Sequence, residues 1–297
     1  MHRIRVLDTG GGVYAFYDGR VEGYHFAEGP NWVDDGALSL GIASYAVVAD
    51  GEALIYDTHV SVEHGRYVRD RLESHGVRKF TVVLSHWHLD HVAGSAAFDD
   101  CEIIASDRSA ELLSGHKSAI ERGELEGPPP INPLLLPTSV FAGRRQITVG
   151  GVPLELIHTN IHSDDATVAW LPQQRLLLCG DTMEDTITYV DEPHSFDEHL
   201  ANLDRLGELA PDRILPNHGD PDVIAAGGYS TGLIRATEQY IQALQRCRAE
   251  PALREASLRE VIAPSLEAGW IHYFAPYEAV HRHNVMAVLA DARDRAT

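Results

Sequence analysis

Hydrophobic and polar residues follow two kinds of pattern along the chain. Short runs rich in β-branched and aromatic residues predict strands, and longer stretches with apolar residues three or four positions apart predict helices. In the first half, the pattern predicts strands at 13–17, 24–26, 45–49, 53–57, 79–84 and 102–105, and helices at 61–75 and 107–113. Asp50-Gly51 is typical of a hairpin turn, Gly76 of a helix end, and Asp107 of a helix cap.

The second half repeats this organisation. The pattern predicts strands at 146–149, 152–158, 167–171, 175–179 and 213–216, and helices at 195–209, 229–248 and 277–295. Each half begins with hairpins and then alternates helix and strand, which two sheets packed face to face with helices outside would explain. We therefore expect an α/β domain over residues 1–228 and a helical C-terminal extension over 229–297 packed on it.

Two stretches leave alternatives open. Residues 114–137 contain Gly127-Pro128-Pro129-Pro130 and Asn132-Pro133, which break regular structure. This stretch is either a surface excursion or a mobile flap over a site. The aromatic-rich residues 269–274 either pack against helices, form a wall of a substrate pocket, or make a contact in a homodimer.

Composition narrows the class of protein. A hydrophobic fraction of 44% is that of a protein with a sizeable core, and a formal net charge of −20 argues against nucleic acid or an anionic membrane as a partner. The chain contains no run near the roughly 18 apolar residues that would cross a bilayer, so we expect a cytoplasmic protein. Its three cysteines are far apart and indicate neither a disulfide scaffold nor a zinc finger.

The clearest chemical signal is the segment His86-Trp87-His88-Leu89-Asp90-His91, which follows the predicted strand 79–84. If the backbone stayed extended, His86, His88 and Asp90 would share one face and His91 would point to the other. Imidazoles and a carboxylate placed together are ligands suited to zinc, or to manganese or iron. This density of ligand types in one segment therefore predicts a metal site.

Three further candidate ligands follow other predicted strands: His162, Asp181 and His218. One end of the sandwich could bring them beside the histidine segment. We expect His158 and His194 to be ordinary structural histidines, and Cys179 to be a small buried hydrophobic residue. Asp164 and Asp165 could either hydrogen-bond a ligand histidine or cap a turn.

These residues, in this order and at these separations, resemble the metallo-β-lactamase-fold hydrolases. The resemblance runs from the first hairpin to Gly219, and it implies a four-layer αββα sandwich. It further implies that His86, His88 and His162 hold one metal, that Asp90, His91 and His218 hold a second, and that Asp181 bridges them. The implied cofactor is two Zn²⁺, with Mn²⁺ or Fe²⁺ as alternatives.

Such a metal pair would lower the pKa of a bound water and polarise a carbonyl group, while Asp90 or Asp181 steers the proton. The expected reaction is hydrolysis of a small-molecule lactone, ester, thioester or amide. In the resembling family, true β-lactamases have Cys or another residue in place of Asp181, which favours a lactonase or a glyoxalase-II-like thioesterase here. Lactonases usually carry a tyrosine soon after the bridging aspartate, whereas Tyr189 comes late in this chain.

Other classes of protein remain as alternatives. A mononuclear iron dioxygenase acting on a thiol or persulfide would not need the second set of ligands. A nuclease of this fold is disfavoured by the acidic balance. A non-catalytic binding module would be expected to have lost ligands.

Overall fold

The computed structural model describes residues 2–190 and 192–294, and two β-sheets form its centre. The first sheet contains seven strands in sequence order; the first three neighbouring pairs are antiparallel and the last three are parallel, with the fourth strand belonging to both sets. These strands are β1 (Arg5–Gly10), β2 (Val13–Asp18), β3 (Ile42–Ala49), β4 (Glu52–Tyr56), β5 (Lys79–Val83), β6 (Glu102–Ser106) and β7 (Ser139–Phe141).

The second sheet contains five strands in the order β12-β11-β10-β9-β8. All its neighbours are antiparallel except β11 and β12, which are parallel. These strands are β8 (Arg144–Val149), β9 (Val152–His158), β10 (Thr167–Leu171), β11 (Leu176–Gly180) and β12 (Arg213–Pro216).

Helices connect the strands and make up most of the C-terminal part. They are α1 (Val62–Ser74), α2 (Leu89–Val92), α3 (Asp107–Arg122), α4 (Phe196–Glu208), α5 (Pro221–Ala225), α6 (Gly232–Cys247), α7 (Pro251–Glu255), α8 (Leu258–Val261), α9 (Ala263–Glu267) and α10 (Tyr277–Asp294). Shorter helical turns are a π-helix at Val33–Leu38 and 3₁₀ helices at Ser95–Phe98 and Pro193–Ser195. No helix within the described residues has the length and apolar character needed to span a bilayer.

Alternation along the strands separates two hydrophobic cores. In β4, Leu54 lies in the core between the sheets together with Val168 of the second sheet. The next residue, Ile55, lies in the core on the outer side of the first sheet, together with Val68 of α1. Because successive side chains of a strand point to opposite faces, one buried strand serves both cores. The expected α/β fold, with two facing sheets and helices outside, is confirmed.

Tyrosine hydroxyl groups join the two sheets near the site described below. Tyr45 of β3 donates to the carbonyl oxygen of Pro216, and Tyr56 of β4 donates to that of Thr167, both at 2.5 Å. All these groups are buried, so the hydrogen bonds replace contacts with water. They hold the ends of the second sheet against the first.

Three local predictions are wrong. Residues 24–26 are not a strand but part of the connection between β2 and β3, where Gly23 and Gly29 adopt φ of 70° and 81°. Helix α3 continues to Arg122 instead of ending at 113, because Leu113 and Ile120, seven residues apart, are buried on one face. The cap of α3 is Ser106, whose hydroxyl accepts the Ser109 N–H, and Asp107 is the first helical residue.

The C-terminal helices pack on α4 and on the loop that precedes it. The Tyr240 hydroxyl of α6 lies 3.0 Å from His281 Nδ1 of α10, which joins those two helices. The division into domains 1–228 and 229–297 stays a prediction, and its outer ends at 1 and 297 lie outside the described residues. The predicted helix end at 295 also lies outside them.

Candidate metal centre

The segment from His86 to His91 follows β5 and turns directly into a short helix. Strand β5 ends at Val83 and helix α2 begins at Leu89, so the last ligands of the segment lie on a helical turn. The prediction that His91 points away from the other three candidate ligands is therefore wrong, since it assumed strand alternation. His91 Nε2 lies 3.4 Å from an Asp90 carboxylate oxygen, and the ring centroids of His86 and His91 are 4.2 Å apart.

The other three candidate ligands follow strands of the second sheet. His162 lies in the loop after β9, Asp181 directly follows β11, and His218 comes two residues after β12. Since β11 and β12 are parallel, their carboxyl ends meet at one edge. The Asn217 N–H donates to the Gly180 carbonyl oxygen at 3.0 Å, which fixes these two ends beside each other.

All seven candidate side chains converge on one centre. Ligand atoms lie within 4.8 Å of one another in the groups His86/His88/His162, His86/His91/Asp181, Asp90/His91/His218 and His162/Asp181/Glu184. The closest approaches are His162 Nε2 to His88 Nδ1 at 3.0 Å, His91 Nε2 to Asp181 Oδ2 at 3.1 Å, and His218 Nε2 to Asp90 Oδ2 at 3.2 Å. The first and third groups match the two ligand sets that the resemblance implied, and the roles of these residues as ligands stay predictions.

Two polar atoms inside this cluster are buried without a hydrogen-bond partner: His86 Nε2 and Asp181 Oδ1. Leaving a buried polar atom unpaired costs about 1–3 kcal/mol, so native proteins rarely tolerate it without reason. Imidazole nitrogens and carboxylate oxygens are also the atoms that bind zinc and related cations. The residues therefore fit a divalent metal.

Backbone carbonyl groups orient two of the histidines. His218 Nδ1 lies 2.8 Å from the carbonyl oxygen of Gly41, and His162 Nδ1 lies 3.0 Å from that of Tyr189. A carbonyl oxygen only accepts, so each Nδ1 carries a proton, and Nε2 is the nitrogen that faces the centre and is left to bind a cation. This arrangement holds both rings in the tautomer that a metal ligand requires.

Asp57, at the end of β4, is a buried carboxylate that the sequence reasoning did not single out. Its oxygens accept hydrogen bonds from the Ser85 N–H, the Ser85 hydroxyl and Asn217 Nδ2, each at 2.6 Å, and from His91 Nδ1 at 2.9 Å. Because the Ser85 hydroxyl proton goes to Asp57, its oxygen accepts from His86 Nδ1 at 2.9 Å. The available signal was position, since Asp57 follows an apolar strand as the candidate ligands do.

A protein-family model described as the metallo-beta-lactamase superfamily matches residues 39–218, the part of the chain that carries all seven candidate ligands. The chain belongs to the metallo-beta-lactamase superfamily. The fold of this superfamily is of a hydrolase type and implies divalent metal binding, which agrees with the clustered histidines and aspartates.

Relatives within this superfamily are distant. The chain is 27% identical over 140 residues to "Beta-lactamase-like protein 2 homolog" of Caenorhabditis elegans and 26% identical over 144 residues to that of Drosophila melanogaster. These matches cover 46% and 47% of this chain but only 41% and 44% of the relatives. A "Linear primary-alkylsulfatase" from a Pseudomonas species is 22% identical over 281 residues, covering 79% of this chain and 52% of that protein.

Solved structures show the same fold. A metallo-beta-lactamase from Pontibacter korlensis superposes with a TM-score of 0.61 at 20% identity, covering 81% of this chain and 99% of that one. The DIM-1 metallo-beta-lactamase superposes with a TM-score of 0.59 at 17% identity, covering 80% and 97%. At such low identity the likeness concerns the fold alone.

Neighbouring charges shift the pKa values of several side chains in the metal centre. Burial opposes ionisation of Asp90, but His91 and His218 outweigh it and lower the pKa of that carboxyl group to about 2. Burial likewise works against charge on these two histidines, but the neighbouring carboxylates outweigh it and raise both pKa values well above normal. A cation held by His91 and His218 would compete with protons for the same nitrogens, so metal binding would be expected to release protons.

A cavity of about 270 Å³ opens onto the metal centre. The described residues that line it are Gly36, Leu40, His88, Asp90, Glu126, His162, Asp181, Glu184, Tyr189 and His218. Glu126 comes from the 114–137 stretch. The first part of this stretch, up to Arg122, belongs to helix α3, and its irregular second part is anchored by the buried side chains of Ile131 and Leu134. That stretch therefore contributes one wall residue.

Residues 269–274 do not line the metal cavity in the part of the chain that the structure describes. Phe274 instead borders a separate cavity of about 1090 Å³ and stacks under the Arg20 guanidinium group at 4.1 Å. Trp270 packs against Gly232 at the start of α6. This contact of Trp270 agrees with packing against helices, the first of the three alternatives given for residues 269–274.

Glu184 is a second carboxylate that sequence reasoning missed. It is 2% exposed, lines the metal cavity and shares a candidate ligand group with His162 and Asp181. Burial, followed by repulsion from Asp181, raises the pKa of Glu184 to about 7. The only sequence signal was its position three residues after the bridging candidate.

Two residues that we expected to be structural, His158 and Cys179, have structural contacts, and so does Asp165. His158 Nε2 lies 2.8 Å from the Asp164 carbonyl oxygen, and Cys179 is fully buried in the core between the sheets. The Asp165 carboxylate accepts from the hydroxyl groups of Ser109 and Ser163, both at 2.7 Å. These contacts stabilise the loop around the candidate ligand that follows β9.

Proposed function

We propose that the chain is a hydrolase that uses two divalent cations, zinc in the first instance with Mn²⁺ or Fe²⁺ as alternatives, to open a lactone, ester or related carbonyl substrate. The observation that carries this proposal is the convergence of five histidines and two aspartates around His86 Nε2 and Asp181 Oδ1, which are both buried and unpartnered. Membership of a superfamily with a hydrolase-type fold supports the same reaction class.

Each side chain has a proposed role. His86, His88 and His162 would hold one cation, Asp90, His91 and His218 the other, and Asp181 would be shared. When bound, the cations supply a water of lowered pKa and a Lewis acid for the carbonyl group. The Asp90 side chain is 19% exposed against 5% for Asp181, which supports Asp90 as the group that accepts the proton at the cavity.

The lining of the metal cavity supports an uncharged substrate. Of the described residues that line it, none is Lys or Arg, whereas Asp90, Glu126, Asp181 and Glu184 are acidic. An anionic substrate would usually be recognised by Arg or Lys side chains. A neutral lactone or ester therefore fits better than a phosphodiester or a glutathione thioester, and a small molecule fits better than nucleic acid.

A sulfate ester is the second candidate substrate. It is favoured by the alkylsulfatase relative, whose match covers 79% of this chain and extends beyond the residues of the family model. Its anionic head group would depend on bound cations, because the described cavity residues supply no basic side chain. We rank it after the carbonyl substrates for that reason.

The test is a substrate panel run on protein whose metal content has been measured. We expect about two zinc ions per chain and turnover of a lactone or carboxylic ester, with little turnover of thioesters, bis-nitrophenyl phosphate or β-lactams. Turnover of a medium-chain alkyl sulfate alone would favour the second candidate. One iron per chain with uptake of oxygen in the presence of a persulfide would overturn both in favour of a dioxygenase.

A further inference from the structure

Helix α10 makes hydrogen bonds with a loop that borders the metal centre. This loop, residues 184–190, runs along the metal cavity between β11 and α4 and contributes Glu184 and Tyr189 to its wall. Helix α10 begins at residue 277, far beyond the residues that the family model matches. Contacts between this helix and the loop are therefore a feature of the C-terminal part of this chain.

Asn284 of α10 makes two hydrogen bonds with one end of the loop. Its side chain is fully buried; Oδ1 accepts the Val190 N–H and Nδ2 donates to the Thr188 carbonyl oxygen, both at 3.0 Å. The Thr188 hydroxyl in turn donates to the Asp181 carbonyl oxygen at 2.7 Å. Two buried hydrogen bonds from one side chain thus connect α10 to the backbone of a candidate ligand.

Tyr277 of α10 holds the middle of the same loop. Its hydroxyl group donates to Glu184 Oε2 at 2.9 Å, and Glu184 Oε1 accepts the Tyr189 N–H at 3.0 Å. The Tyr189 carbonyl oxygen then accepts from His162 Nδ1 at 3.0 Å. Three hydrogen bonds thus lead from the first residue of α10, through buried Glu184 and half-buried Tyr189, to the ring of a candidate ligand.

We propose that Tyr277 and Asn284 are positioning residues for the metal centre, and that α10 sets the orientation of His162 through the loop 184–190. This inference rests on the proposed function, because it takes His162 as a ligand. A carbonyl oxygen that accepts from Nδ1 keeps the imidazole in the tautomer and direction that binding requires. If the loop shifts, the Tyr189 carbonyl oxygen no longer orients the His162 ring.

The test compares Tyr277→Phe and Asn284→Ala with matched controls in the full-length chain. Tyr273→Phe is the control for the first, since the Tyr273 hydroxyl also donates to a glutamate at 3.0 Å, but that glutamate, Glu278, is not part of the loop. Asn202→Ala is the control for the second, since Asn202 is a buried helical asparagine whose Nδ2 donates to a carbonyl oxygen within its own helix.

Three measurements separate positioning from general stability. They are the metal dissociation constants by competition with a chelator, the visible spectrum of the cobalt-substituted protein, and thermal unfolding without metal. Loss of a partner that orients a ligand typically weakens metal affinity 10- to 100-fold. We expect a loss of about that size for one of the two cations, and a changed cobalt spectrum, in Tyr277→Phe and Asn284→Ala but not in the controls.

The outcomes are distinct. If Tyr277→Phe binds both cations with wild-type affinity and an unchanged cobalt spectrum, the inference is overturned. The same holds if each control loses as much affinity as its partner variant. If Asn284→Ala does not fold, Tyr277→Phe alone decides, since it removes one hydroxyl group and keeps the ring. Wild-type protein that binds no metal would instead overturn the proposed function.

Discussion

Replacing Asp57 by asparagine tests how the metal centre is oriented. The two side chains have the same shape, so the change removes a charge and turns one acceptor oxygen into an NH₂ group. Asp57 Oδ1 accepts the Ser85 N–H, while Oδ2 accepts from Ser85 Oγ, His91 Nδ1 and Asn217 Nδ2. In either orientation of the new amide, its NH₂ group faces at least one donor.

The expected cost follows from this geometry. In the less damaging orientation one buried donor loses its partner, which costs about 1–3 kcal/mol, and the other three hydrogen bonds change from a charged to a neutral acceptor, each weaker by about 1 kcal/mol. Removing a buried charge recovers part of this loss. We therefore expect Asp57→Asn to lower the free energy of unfolding of the metal-free protein by about 3 kcal/mol.

The metal affinity should also fall, because His91 loses the charged group that orients it. We expect a loss of about 10- to 100-fold, measured by competition with a chelator. Asp34→Asn is the control, since Asp34 is likewise a carboxylate with several donors, two backbone N–H groups and an asparagine side chain, but lies outside the metal cavity. An Asp57→Asn protein with wild-type metal affinity and an unfolding free energy within about 0.5 kcal/mol of wild type would refute the reasoning.

Three further predictions follow from other parts of the structure. His88→Ala and Asp181→Ala should each abolish hydrolysis while circular dichroism stays close to wild type, and full turnover in either would mean the site is misassigned. Burial lowers the pKa of His199 to about 4. The unfolded chain therefore gains a proton near pH 6.5 that the folded protein does not accept until about pH 4. Between pH 7 and 4, wild type should lose about 3 kcal/mol more than His199→Gln, and equal losses in urea unfolding would contradict this. A Cβ atom on Gly41 (φ 78°) would clash with the Tyr17 hydroxyl oxygen, whereas one on Gly76 (φ 95°) would meet nothing within 4 Å. Gly41→Ala should thus lower thermal stability and metal affinity more than Gly76→Ala, and equal effects would show that Gly41 does not support His218.

Most of the fold could be predicted from the sequence because its strands are strongly patterned. The run from Ala53 to Asp57 and the hairpin around Gly150-Gly151 were assigned within one or two residues, since buried strands leave apolar runs between turn signals. Errors occurred where local cues conflicted with tertiary contacts. The helix predicted at 107–113 is one such case, since α3 continues to Arg122 because its buried face packs on the first sheet.

The candidate ligands could be named from the sequence, but their arrangement could not. Strand alternation predicted a wrong direction for His91, because β5 ends before the ligand segment begins. Asp57 and Glu184 were missed for a related reason: single acidic residues carry no local sign that they will be buried against histidines distant in the chain.

By itself, the sequence determined most of the strands and helices and the seven candidate ligands, because both depend on residue type and on spacing within a few positions. Only the tertiary structure decided which histidine nitrogens face the centre, which acidic groups hold them, and that a helix near residue 284 reaches the loop beside His162. These features depend on contacts between residues far apart in the chain, such as pairs separated by 96 or 160 positions. Hydrophobic packing of the whole chain brings such residues together, and no local pattern records the distances that result.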